Sequence, residues 1–75
     1  MREKSELAVK FGEEVRQLRS NLKRSQEDFA EDCGIHRTYV GAIERGEKVV
    51  SLDMAKRVTA ALGLSLSQFF ARIGE

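Results

Sequence analysis

The sequence predicts an all-α fold of five short helices. Proline is absent from the 75 residues, and the period-two runs of β-branched residues that mark strands are missing. Apolar residues recur instead at steps of three and four, the spacing of one helical face. Serines and glycines fall where such helices would start and stop.

Helix 1 is expected from about Ser5 to Leu22. Phe11, Val15, Leu18 and Leu22 share one face, and Lys10, Glu13, Glu14, Arg16 and Gln17 lie on the polar one. Lys23-Arg24 form a short basic link. Ser25 then caps helix 2, whose first turn carries Glu27 and Asp28 where carboxylates suit the positive helix end. Phe29, Ala30 and Cys33 face inward, and Gly34 supplies the turn. Helix 3 is expected from about His36 to Arg45, with Val40 and Ile43 seating it, and Gly46 stops it. Ser51 caps helix 4, which places Leu52, Ala55, Val58 and Leu62 inward and ends at Gly63. Ser65 and Gln68 form a capping box for helix 5, which carries Phe69, Phe70 and Ile73.

Composition narrows the function classes. Lys and Arg number 13 and Asp and Glu 12, for a net charge of +1, and 41% of residues are hydrophobic. This excludes a polycation, an acidic tail and a disordered chain. The single cysteine, Cys33, precludes an internal disulfide and fits a reducing cytosol. One His and one Cys cannot make a zinc site. No membrane span is expected, and Met1-Arg2-Glu3-Lys4 is not followed by a leader's apolar core. No phosphate loop and no paired catalytic constellation is present, so neither an enzyme nor a cofactor is expected. A chain this short buries a small core, which favours a homodimer.

Residues 26–45 are the informative stretch. Two short helices joined by about four residues containing glycine have the layout of a helix-turn-helix. Ala30 is small where the helices cross, Gly34 accepts the turn, and Val40 and Ile43 are apolar where helix 3 meets the core. Each requirement is weak alone, and all four are met together.

From Gly12 to Ile73 the chain resembles the phage-repressor-like (Xre) helix-turn-helix family. Ser25-Gln26-Glu27-Asp28-Phe29-Ala30, Ile43-Glu44-Arg45-Gly46 and Ala60-Ala61-Leu62-Gly63-Leu64-Ser65-Leu66 carry the resemblance. Gly34-Ile35-His36-Arg37-Thr38-Tyr39-Val40 is similar to the controller proteins of bacterial restriction–modification systems. The resemblance implies a single lambda-repressor-like domain over residues 1–75. It also implies a cytoplasmic, bacterial or phage-encoded transcription regulator that binds a palindromic operator on double-stranded DNA as a homodimer and regulates its own promoter. This chain carries Val49-Val50 where many relatives have Asn-Pro, and Gly41 where many have a polar residue. A mid-helix glycine costs roughly 1 kcal/mol relative to alanine.

Helix 3 is expected in the major groove. Arg37, Thr38, Gly41 and Ala42 are the expected base-reading residues, with Arg37 foremost because its planar fork matches guanine O6 and N7. Arg24, Gln26, His36, Tyr39 and Lys48 are expected at the DNA backbone, Gln26 and Lys48 through the resemblance. The resemblance also implies an ion pair between Arg19 and Glu44 that orients helix 3. Arg45 suits the negative end of that helix. Helix 2 is acidic, and its Glu31 and Asp32 are the expected contact for RNA polymerase, again by resemblance. Leu66, Phe70 and Ile73 exceed what helix 5 needs for the core and are expected at a two-fold interface that sets recognition helices about 34 Å apart. The alternative is an antitoxin-type interaction module with secondary DNA binding, for which the residues beyond helix 5 leave little room. Residues 1–24 carry seven Lys/Arg against four Asp/Glu, and residues 25–75 carry six against eight. A near-neutral chain is thus expected to depend on base contacts and dimer geometry more than on bulk charge.

Overall fold

A computed structural model describes residues 5–75, which leaves the opening Met1-Arg2-Glu3-Lys4 outside the described part. The helices are α1 (Glu6–Asn21), α2 (Gln26–Cys33), α3 (Arg37–Glu44), α4 (Leu52–Ala61) and α5 (Leu66–Arg72). Connections of four, three, seven and four residues join them. No strand occurs among the described residues.

Each helix starts on a side chain that accepts one of its own orphan amides. Ala8 N donates to Ser5 Oγ at 3.2 Å, Asp28 N to Ser25 Oγ at 3.0 Å and Met54 N to Ser51 Oγ at 3.0 Å. At α5 the capping box is closed in both directions: Gln68 N donates to Ser65 Oγ at 3.1 Å and Ser65 N to Gln68 Oε1 at 2.8 Å. The helix ends share a device too. At the end of α2, Gly34 takes φ 72°, and Ile35 N reaches back to Ala30 O at 3.0 Å. A left-handed residue at this position is what lets the chain turn sharply into α3. At the end of α1 the same place falls to Lys23, at φ 58°. The basic link is therefore a strained helix terminus, since a side chain in this region is disfavoured.

The helices close on a core of Phe11 and Val15 from α1, Phe29 and Ala30 from α2, Val40 and Ile43 from α3, Ala55 and Val58 from α4, and Phe69 from α5. Phe11 and Phe69 pack with rings tilted by 50° and centroids 4.8 Å apart, and Phe70 meets Phe69 edge-on at 5.9 Å. Cys33 is buried, and desolvation, with Asp32 adding its charge, pushes its thiol up to about 11. Two expected core residues are not in it. Leu22 lies past the end of α1 and is exposed, and Leu52, at the first position of α4, is 79% exposed.

The helices α1 and α3 approach closely at Gly12. A Cβ there would run into the carbonyl oxygen of Ile43 and come within 3.0 Å of that of Glu44. α3 is thus pressed by α1 from behind and by α2 from the side. Its remaining face is open, and that face carries the candidate site. No helix among the described residues is long and apolar enough to cross a membrane.

Candidate nucleic-acid interface

The first turn of α2 and the open face of α3 meet in a shallow depression. Gln26, Glu27, Arg37, Thr38, Gly41 and Arg45 line it. Thr38, Gly41 and Arg45 stand at i, i+3 and i+7, one side of a helix. Arg37 is exposed at the head of α3, and no carboxylate among the described residues pairs with it. Its fork is available to a base or a phosphate.

His36 caps α3. Thr38 N donates to His36 Nδ1 at 3.1 Å, and Thr38 Oγ1 lies 2.7 Å from the same nitrogen. Accepting at Nδ1 puts the proton of a neutral ring on Nε2, so the outer nitrogen is a donor suited to a phosphate. The Thr38 hydroxyl is held by His36, and the residue itself is exposed, so its methyl can meet a thymine. Tyr39 is half-buried against the core, and Lys48 Nζ sits 5.8 Å over its ring. The connector after α3 thereby brings a cation to the flank of α3.

Three expected contacts are placed differently. Ala42 is only 9% exposed. The chain folds back after α3, with Glu47 N on Ala42 O at 2.9 Å, and an enclosed methyl offers too little surface to read a base. Gly41 is buried, not bare: the Arg45 guanidinium lies across it, with Nη1 2.9 Å from where a Cβ would sit. Arg24 faces away from the depression. Its Nε and Nη2 grip Asp32 at 3.0 and 2.7 Å, and Nη2 also reaches Asp28 O at 3.3 Å. The four-residue step from 28 to 32 turns both groups toward the loop that holds Arg24, so this cation serves α2. One half of the acidic pair expected to meet RNA polymerase is consumed in the same bridge, and Glu31 remains exposed and outside any ion pair among the described residues.

Behind α3 lies a buried polar network. Arg19 Nε and Nη2 donate to the two oxygens of Glu44 at 2.6 and 3.0 Å, and Arg19 Nη1 donates to Arg24 O at 2.7 Å. Gln26 Nε2 donates to Glu44 Oε1 at 3.0 Å. The side chains of Arg19 and Glu44 are 13% and 3% exposed. Donating to the Glu44 carboxylate raises the Arg19 guanidinium above its ordinary range. One amide hydrogen of Gln26 is committed here, so Gln26 ties the first turn of α2 to the last turn of α3.

A second surface was not expected from periodicity. Leu7, Val49, Val50, Leu52 and Phe70 line an apolar groove between the start of α1, the connector before α4 and α5. Val49 is 82% exposed and Leu52 nearly as open. Of the three residues expected at a two-fold interface, Phe70 lines this groove, while Leu66 and Ile73 are half-buried against the core and do not line it. The signal in the sequence was the Val49-Val50 pair, which no helical face required.

The family model HTH_3, described as helix-turn-helix, matches residues 15–69. The chain is 49% identical over 55 residues to control protein C.BamHI of Bacillus amyloliquefaciens, covering 72% of this chain and 68% of that one. It is similar to the crystal structure of the restriction–modification controller protein C.AhdI from Aeromonas hydrophila, with a TM-score of 0.82 and 38% identity, covering 88% of this chain and all, 100%, of that one. It is also similar to the controller protein C.Esp1396I, solved as a tetramer with its natural 35 base-pair operator, with a TM-score of 0.84 and 26% identity over 92% of this chain and 91% of that one.

Proposed function

The chain belongs to the helix-turn-helix family HTH_3, and from that premise we propose that it is a restriction–modification controller: a cytoplasmic DNA-binding transcription regulator, not a catalyst, that binds a two-fold operator as a homodimer. One observation carries the reading. The open face of α3 presents Arg37, Thr38 and Arg45 together while a buried network holds its back. Rigid backing is what base reading requires, because a bidentate contact tolerates little error in position. Likeness to an operator-bound controller supports the same reading.

The apolar groove supplies the two-fold surface through Val49, Leu52 and Phe70, and Leu66 and Ile73 stand four residues before and three after Phe70, on the same side of α5. A Val49→Asp, Leu52→Asp double variant is expected to sediment as a monomer and to bind the DNA upstream of its own gene at least ~100-fold more weakly, because each half-site then binds without its neighbour. The parent chain is expected to protect a palindrome there in a footprint. No protected palindrome refutes operator binding, and a double variant that stays dimeric refutes the groove as the interface.

The acidic outer face of α2 would meet RNA polymerase through Glu31, since Arg24 holds Asp32. Glu31→Gln is expected to leave operator affinity unchanged and to lower activated transcription in a purified system several-fold. Full activation by that variant removes the contact from α2.

A further inference from the structure

We propose that Arg45 reads a guanine in each half-site, and that Gly41 is the notch its guanidinium lies across. Arg45 follows the last turn of α3, a place that by itself suggests only a charge at a helix end. Its side chain, however, runs back along the helix. Nη1 stands 2.9 Å from the position of a Cβ on Gly41, and Gln26 Oε1 lies 3.6 Å from that same position. Helical side chains lean toward the N-terminus, and a turn rises about 5.4 Å, which an arginine spans. The charge therefore sits at the middle of α3, on the side that carries Thr38, inside the depression that Arg37 also lines.

The orientation of the fork matters as well. Glu47 takes the Nε–Nη2 edge, with Nε on Oε2 at 3.0 Å and Nη2 on Oε1 at 3.2 Å. The Nη1 corner is the one turned to Gly41. Whatever that corner meets in the unbound protein, it exchanges for guanine O6 and N7 on DNA, while Glu47 braces the opposite edge. A planar five-donor group held along one edge by a carboxylate is oriented for bidentate reading, and an ammonium is not. Any side chain on residue 41 would occupy the space the guanidinium now fills. This accounts for a glycine in the body of a helix that otherwise gains nothing from one.

The inference rests on the operator-binding reading, and the test separates the two. A randomised duplex library is selected on the full-length dimer, and the winning site and each of its single-base variants are then titrated. The parent chain is expected to select a palindrome. Arg45→Ala and Arg45→Lys are both expected to lose a preference for guanine at one symmetric pair of positions, about tenfold per position. Gly41→Ala should lose the same preference, and should add nothing further in the Arg45→Ala background. If Arg45→Lys keeps the full preference, or Arg45→Ala binds every duplex uniformly more weakly, Arg45 is a phosphate contact and the inference falls while operator binding stands. If Gly41→Ala lowers affinity equally in both backgrounds, the notch is wrong. If the parent chain selects no sequence at all, operator binding fails first and takes the inference with it.

Discussion

Glu44→Ala is expected to lower the thermal midpoint by more than about 12 °C, because removing one member of a buried ion pair costs about 3–5 kcal/mol and each kcal/mol moves a domain of this size by roughly 4–8 °C. The loss does not stop at the pair. Without Glu44 the Arg19 guanidinium is left buried and charged, and one amide hydrogen of Gln26 loses its acceptor. The fold of 75 residues has a stability of only roughly 4–11 kcal/mol in which to absorb this. Gln26→Ala removes one neutral donor to a charged acceptor and is expected to cost less, about 1.5–3 kcal/mol. Melts followed by circular dichroism at one fixed protein concentration give the comparison, since dimerisation ties stability to concentration. A Glu44→Ala midpoint equal to that of the parent would show that the network merely accompanies the fold.

Gly12→Ala is the second large effect, and its sign runs against propensity. In an exposed helix the exchange stabilises by about 1 kcal/mol. Here the new methyl meets the Ile43 and Glu44 carbonyls. Those atoms are backbone and cannot rotate aside, so α1 must move off α3. Overpacking costs about 1–3 kcal/mol and occasionally more, and a clash against backbone belongs at the upper end. The expected result is a net loss of roughly 2 kcal/mol or more in a urea titration. A gain in stability would mean that α1 and α3 stand further apart than described. Gly41→Ala makes the contrast: its methyl meets chiefly the far end of the Arg45 side chain, which can swing away. That variant is expected to hold or gain stability while it loses discrimination, the pattern of a position kept for function.

Much of the fold was legible because helix ends are written locally. Ser25, Ser51 and Ser65 each cap the helix expected of them, Ser5 does the same at the expected start of α1, and Gly34 turns as anticipated. Such signals need only three or four neighbouring residues to work. The site was legible in part, since Arg37 and Thr38 stand on the open face, and Arg19 meets Glu44 as the family resemblance implied. What was hidden depends on where long side chains go. Arg24 and Arg45 reach along the chain to the groups they meet, Arg24 to Asp32 near the far end of α2, and Arg45 to Glu47 while its Nη1 turns back over Gly41. Neither path shows in hydrophobic spacing. Ala42 belongs to the expected base-reading set, yet it is buried. Val49 and Leu52 were missed for the opposite reason: periodicity assigns apolar residues inward and carries no mark for an apolar surface left exposed.

The short connections between the helices bear on time. No link between consecutive helices exceeds seven residues, and chains built from local contacts fold in about microseconds to milliseconds. A newly made copy is therefore structured almost at once. Pairing, by contrast, needs two copies to meet, and its rate rises with the square of their concentration. In a cell that starts with none, the interval before an operator is filled is set by accumulation and encounter, and the fold itself adds no delay.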